Sequence, residues 1–129
     1  MKFTSYATRR AGNTVFVYGG RALDVDNEGG LEELFEAQIE AGAKRIVLTM
    51  GDMKFFHYTL FAGLLATEKR LQAVKGDLVL AEVPWFVERT LHDLGMLHRF
   101  AIVPNAQTVE RAERLKIDLN ALPSGMIPG

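Results

Sequence analysis

Two short stretches near the start of the chain alternate between residue types. Phe3, Ser5 and Ala7 alternate with Lys2, Thr4 and Tyr6, and Val15, Val17 and Gly19 alternate with Phe16 and Tyr18. A period of two is that of a strand with two faces. Arg10-Ala11-Gly12-Asn13 separates the runs and predicts a turn, so the opening of the chain reads as a β-hairpin. After Asp24-Val25-Asp26-Asn27 the period lengthens. Leu31, Leu34, Phe35 and Ile39 recur at helical spacing, and Gly42 stands where a helix end favours positive φ, which predicts a helix over about residues 29–41.

Two largely apolar runs follow, Ile46-Val47-Leu48-Thr49-Met50 and Leu78-Val79-Leu80-Ala81-Glu82-Val83. Such runs suit strands covered on both faces. Between them, Thr59 to Lys75 carries an apolar stripe of Leu60, Phe61, Leu64, Leu65, Leu71 and Val74 closed by Gly76, giving a strand-helix-strand unit with a right-handed crossover. Pro84 suits the first turn of a helix running through Leu94, with Gly95 as its stop. Phe100-Ala101-Ile102-Val103 is a last strand, and Asn105 is placed to cap a helix carrying Val109, Ala112 and Leu115. The predicted order is β-β-α-β-α-β-α-β-α over residues 1–116. Residues 117–129 lose periodicity and hold two of the four prolines. They read as a C-terminal tail, either docked by Leu119 and Leu122 or mobile.

Composition narrows the class. At 129 residues, 48% hydrophobic and 24% charged, the chain suits one α/β domain with a single core. Fifteen Lys and Arg against sixteen Asp and Glu give a net charge of -1, so no global positive field attracts nucleic acid. There is no cysteine, which excludes disulfides and thiolate chemistry. The N-terminus lacks the apolar core of a signal peptide, and no apolar run reaches the roughly 18 residues of a membrane span. The expectation is a cytoplasmic protein without membrane insertion.

Catalytic chemistry is hard to assemble from these residues. The two serines, Ser5 and Ser124, lie outside any nucleophile elbow. His57, His92 and His98 lack the spacing of a helical metal pair, and the latter two read as surface or packing residues. Gly19-Gly20 and Gly29-Gly30 match neither a dinucleotide fingerprint nor a phosphate loop and read as turns. Glu28, Glu32, Glu33, Glu36 and Glu40 form a solvated helix side, and Arg111, Arg114 and Lys116 pair with Glu110 and Glu113 along the last helix. No catalytic residue, metal site or cofactor is expected, so the protein is read as a non-enzyme.

One segment stands out, Gly51-Asp52-Met53-Lys54-Phe55-Phe56-His57-Tyr58-Thr59-Leu60. It joins the end of a predicted parallel strand to the start of a helix, where α/β proteins place ligands because free N–H groups and the helix dipole favour negative charge. Phe55 and Phe56 read as core. Tyr58 either packs on a neighbouring loop or is a contact, and Thr59 is either an N-cap or a hydroxyl that could carry a phosphate.

From Phe55 to Leu65, then Gly76-Asp77-Leu78-Val79-Leu80, Pro84 to Leu94, Gly95-Met96 and Phe100, the chain resembles the STAS family of sulphate transporters and anti-sigma factor antagonists. The resemblance spans residues 3 to 116 and implies a single STAS-like domain, a mixed central sheet with helices and an N-terminal β-hairpin. It places His57 at the family's Asp, Tyr58 at its phosphoacceptor Ser, Thr59 at the second hydroxyl and Leu60 at the Gly of the Asp-Ser-Ser/Thr-Gly-Leu motif. Only Thr59 fits that pattern. The family's acidic residue after the second strand corresponds to Asp24.

The resemblance further implies a bacterial signalling module for transcription regulation that binds a protein such as an anti-sigma factor or a serine/threonine kinase. Thr59 and Tyr58 are the candidate phosphoacceptors. Arg21, Asp24, Phe56, His57, Tyr58, Leu60 and Phe61 are the candidate partner contacts, and Trp85 is expected to report on binding from the same end of the sheet. A homodimer stays open. The rival reading is a small-molecule or anion sensor at the same helix N-terminus, or an accessory STAS subunit of a transport system.

Overall fold

A computed structural model describes residues 6–26 and 29–119. Five strands form one sheet in chain order: β1 (Ala7–Ala11), β2 (Thr14–Tyr18), β3 (Arg45–Thr49), β4 (Asp77–Ala81) and β5 (Ala101–Val103). β1 and β2 are antiparallel, and every later neighbour is parallel. Helices α1 (Gly30–Glu40), α2 (Tyr58–Ala73), α3 (Trp85–Asp93) and α4 (Ala106–Arg114) follow β2, β3, β4 and β5 respectively. The mixed α/β sheet with its hairpin is the architecture read from the sequence.

The layering follows from the strand order. Three successive crossovers each step one strand in the same direction, and equal handedness then puts all three helices on one face. One core joins Leu31 and Phe35 of α1, Leu64 and Leu71 of α2 and Val87 and Leu91 of α3 to Val15, Ile46, Leu48, Leu78 and Leu80. The alternate residues Phe16, Val47, Val79 and Ala81 point to the other face, where α4 covers them with Val109 and Ala112. Leu119 is buried in that second core; Leu122 lies outside the described residues.

Three local expectations are corrected. The first strand lies at Ala7–Ala11, with Arg10 and Ala11 in the ladder and only Gly12-Asn13 at the turn, where Gly12 has φ of 62°. All five β1 residues are exposed, so no buried face left an alternation to read. The alternating residues 1–5 lie outside the described residues. Pro84 is the N-cap of α3 and not part of its first turn. In α4, Glu110 pairs with Arg9 of β1, and Glu113 accepts from Thr14 and pairs with Arg45. These carboxylates therefore tie the helix to the sheet and do not pair along it. Asn105 caps α4 as expected, its side chain accepting from the Thr108 N–H at 3.0 Å.

Candidate functional site

The carboxyl end of the sheet carries three irregular segments: a 3-10 turn over Gly20–Val25, the loop 50–57, and the turn 82–84. The loop is fixed from below. Met50 donates to the Ala81 carbonyl, Gly51 to the Glu82 carbonyl, and the Met53 side chain is buried in the main core. Asp24 fixes it from the side. Its Oδ1 accepts the backbone N–H groups of Lys54 at 2.7 Å and Phe55 at 2.9 Å, and its Oδ2 accepts from Arg21 Nε at 3.0 Å. Burial pushes the Asp24 carboxyl up, but the amides of Phe55 and Lys54 and the Arg21 guanidinium outweigh it and hold the group below the usual carboxylate range. The Asp24 carbonyl is bonded by His57 Nε2. A carbonyl only accepts, so that nitrogen carries a proton.

Asp24 therefore faces inward, and its side chain is 6% exposed. Arg21 remains largely exposed beside it. His57 is the N-cap residue of α2, with extended backbone and no side-chain cap bond, so Thr59 lies inside the first turn and is not the cap. Thr59 is exposed, and Tyr58 is 82% exposed. Phe56 and Phe61 are half-buried and meet edge to face at 5.9 Å. Two aromatic and aliphatic assignments exchange places: Leu60, expected on the contact surface, is buried in the core, and Phe55, expected in the core, is 59% exposed. α2 turns Leu60 onto the sheet with Leu64, one helical turn on. Phe55 sits on a loop whose amide is taken by Asp24 and whose side chain is left outside.

Asp26 is a residue the sequence reading did not single out. It is buried, accepts the N–H groups of Gly30 at 2.9 Å and Leu31 at 2.7 Å, and receives the Tyr6 hydroxyl. It thereby caps α1, whose N-cap position is occupied by Gly29. An acidic residue shortly before a helical run is a readable signal, but Gly29-Gly30 between them obscured it. Asp26, Leu31, Glu32, Thr59, Leu60 and Gly63 line a narrow cleft between α1 and α2. Trp85, at the start of α3, is 77% exposed. Among the described residues no three metal-ligating side chains converge, and no helix is long and apolar enough to cross a membrane.

This topology and site define an α/β protein-module class, and comparison with known proteins fixes the family. The STAS domain model matches residues 5–112, and the chain belongs to the STAS domain family. A curated relative, BtrV of Bordetella bronchiseptica, described as an anti-sigma factor antagonist, is 28% identical over 86 residues, covering 67% of this chain and 74% of that protein. A crystal structure described as an anti-sigma factor antagonist of Thermotoga maritima superposes with a TM-score of 0.74 at 14% identity, over 84% of this chain and 94% of that one. The unphosphorylated form of the anti-sigma factor antagonist SpoIIAA gives a TM-score of 0.68 at 17% identity, over 85% and 97%. At these identities the solved structures establish the fold.

Proposed function

We propose that this protein is a non-enzymatic, anti-sigma-factor-antagonist-like binding module whose contact surface is the start of α2 with the loop before it. The observation that carries the reading is the Asp24 tether. Hydrogen bonds to Lys54 and Phe55 hold an otherwise irregular loop in one shape; the loop exposes Phe55, and the first turn of α2 that it leads into exposes Tyr58 and Thr59. A preorganised loop carrying large exposed aromatics suits protein recognition, because little ordering entropy is lost on binding. Arg21, Phe56, His57, Tyr58 and Phe61 would make or frame the contact, with Asp24 acting through the loop it holds. The partner class is an anti-sigma factor, which the names of BtrV and SpoIIAA give for those proteins.

Thr59, and Tyr58 beside it, are the proposed phosphoacceptors. A phosphate would place about -1.5 to -2 charges at the first turn of α2, tolerable to the helix dipole but costly for an apolar partner to desolvate. The test is to immobilise purified anti-sigma factors from the source genome one by one and offer wild type, Thr59→Ala and Thr59→Glu. Capture of wild type and Thr59→Ala, with loss for Thr59→Glu, is expected. Capture of none would overturn the binding role, and equal capture of all three would overturn the switch.

A further inference from the structure

Tyr18 ends β2 at the carboxyl edge of the sheet and is 51% exposed, yet its ring is closely held. A Cβ on Gly20 would stand 2.8 Å from the ring and hydroxyl, and one on Gly51 would stand 3.5 Å from the hydroxyl. Both glycines have positive φ, 53° and 61°. The ring thus rests over bare backbone, and its hydroxyl donates to Asp52 Oδ1 at 3.4 Å. Gly51, which lies against the hydroxyl, donates its N–H to the Glu82 carbonyl and so brings Glu82 to the same corner; the Asp52 charge, then desolvation, the Asp52 hydrogen bond and the Glu82 charge push the hydroxyl above its ordinary pKa. Glu82 is held by its backbone, its N–H donating to the Pro104 carbonyl and its carbonyl accepting from Gly51. Both carboxylates are exposed, and among the described residues neither forms an ion pair.

Charge is also divided along the strand axis. The helices run back against the strands, so their first turns, with Glu32, Glu33 and Glu88, join Asp52 and Glu82 at the carboxyl end. Among the described residues Arg21, Lys54 and, next to Glu88, Arg89 are the basic ones there, with Arg21 paired to Asp24 and Arg89 to Asp93. Lys44, Lys75, Arg114 and Lys116 lie at the opposite end, around the starts of β3 and β4 and the end of α4. A net charge of -1 therefore conceals an acidic contact end.

We propose that Tyr18, Asp52 and Glu82 form a docking point for a protein segment that presents an exposed Arg or Lys side chain, the cation lying against the Tyr18 ring between the two carboxylates. An aromatic face attracts a cation, and a neighbouring carboxylate adds an ion pair to the same group. This names the chemistry of the partner and rests on the binding role proposed above.

The probe is a 15-residue amphipathic peptide with three arginines, and its neutral counterpart with citrulline at those positions, titrated into the uniformly 15N-labelled full chain. The arginine peptide should shift the amides of Tyr18, Gly51, Asp52 and Glu82. It should bind about tenfold more tightly than the citrulline peptide, an advantage lost at high salt. The isosteric double variant Asp52→Asn, Glu82→Gln should lose that advantage while unfolding at the wild-type temperature. Equal binding of both peptides, or an unchanged preference in the double variant, would overturn the proposal. Salt-sensitive self-association of the wild type alone, suppressed in the double variant, would assign the patch to a second copy and also overturn it. If an immobilised anti-sigma factor captures wild type and double variant equally, the binding role stands and this docking point falls. If none captures wild type, the binding role falls, and the peptide pair still decides the patch.

Discussion

Gly76 lies against Lys44 so closely that a Cβ on it would stand 1.9 Å from the Lys44 carbonyl oxygen. That carbonyl accepts the N–H of Asp77, the first residue of β4, so the approach sets where β4 begins beside β3. Backbone cannot yield as a flexible side chain does. Gly76→Ala should cost at least about 3 kcal/mol in urea unfolding. A loss under about 1 kcal/mol would show that the junction relaxes freely.

The two hydroxyl or amide residues near helix starts should differ in their structural roles. Asn105 caps α4 through its side chain, so Asn105→Ala should destabilise by about 1 kcal/mol. Thr59 is exposed in the first turn of α2 and caps nothing, so Thr59→Ala should stay within about 0.5 kcal/mol of wild type. Paired thermal melts check both, and a larger loss at Thr59 would contradict its placement.

Asp24 makes the contact loop sensitive to acid. Its pKa is lower folded than unfolded, so its contribution is present above the unfolded value and is lost as pH falls through the folded one. Asp24→Ala should cost about 2 kcal/mol at neutral pH, and the gap to wild type should begin to narrow near about pH 4 and close only below the folded value. Amide exchange at Lys54 and Phe55 should quicken in the variant. Unchanged exchange there would mean that the loop keeps its shape without the carboxylate.

Tyr6 should act in the opposite direction. Burial, then the hydrogen bond to Asp26 and its charge, raise the phenol well above its ordinary value. A raised folded pKa gives stability that is present below the ordinary phenol range and is lost as pH rises through the folded value. Tyr6→Phe should therefore cost about 1 kcal/mol at neutral pH and flatten the alkaline side of the stability profile. An alkaline limb identical to wild type would remove Tyr6 from the account.

The sequence was most legible where burial was most complete. β3 and β4 are covered on both faces and appeared as apolar runs, and α1 showed Leu31, Phe35 and Ile39 at the spacing of its buried stripe. Legibility failed where backbone bonds or loop geometry decide. β1 is held by its ladder and by polar contacts of Arg9 and Arg10, and shows no apolar face. Phe55 and Leu60 are both large and apolar, and only the loop tether and the helix phase place one outside and the other inside. Asp24 was singled out through the family resemblance, but its work on the amides of Lys54 and Phe55 depends on a turn that no local periodicity marks. The 3-10 turn that carries Asp24 was missed because Gly19-Gly20 reads as an ordinary turn, although Gly20 opens a helix there.

Strand order equal to chain order has a consequence for how this protein is made. Each new strand joins the growing edge laid down by its predecessor, and none has to be inserted between two partners already formed. Every loop closed in assembling the parallel sheet is one crossover long, which keeps the entropic cost of each closure small. A chain emerging from the ribosome can add one strand-helix unit at a time and shelter each exposed edge with the next. α4, which covers the second face, is the last of the described helices in chain order; during vectorial synthesis that face, with Phe16 and Val47, is the one left open to unwanted association until α4 docks.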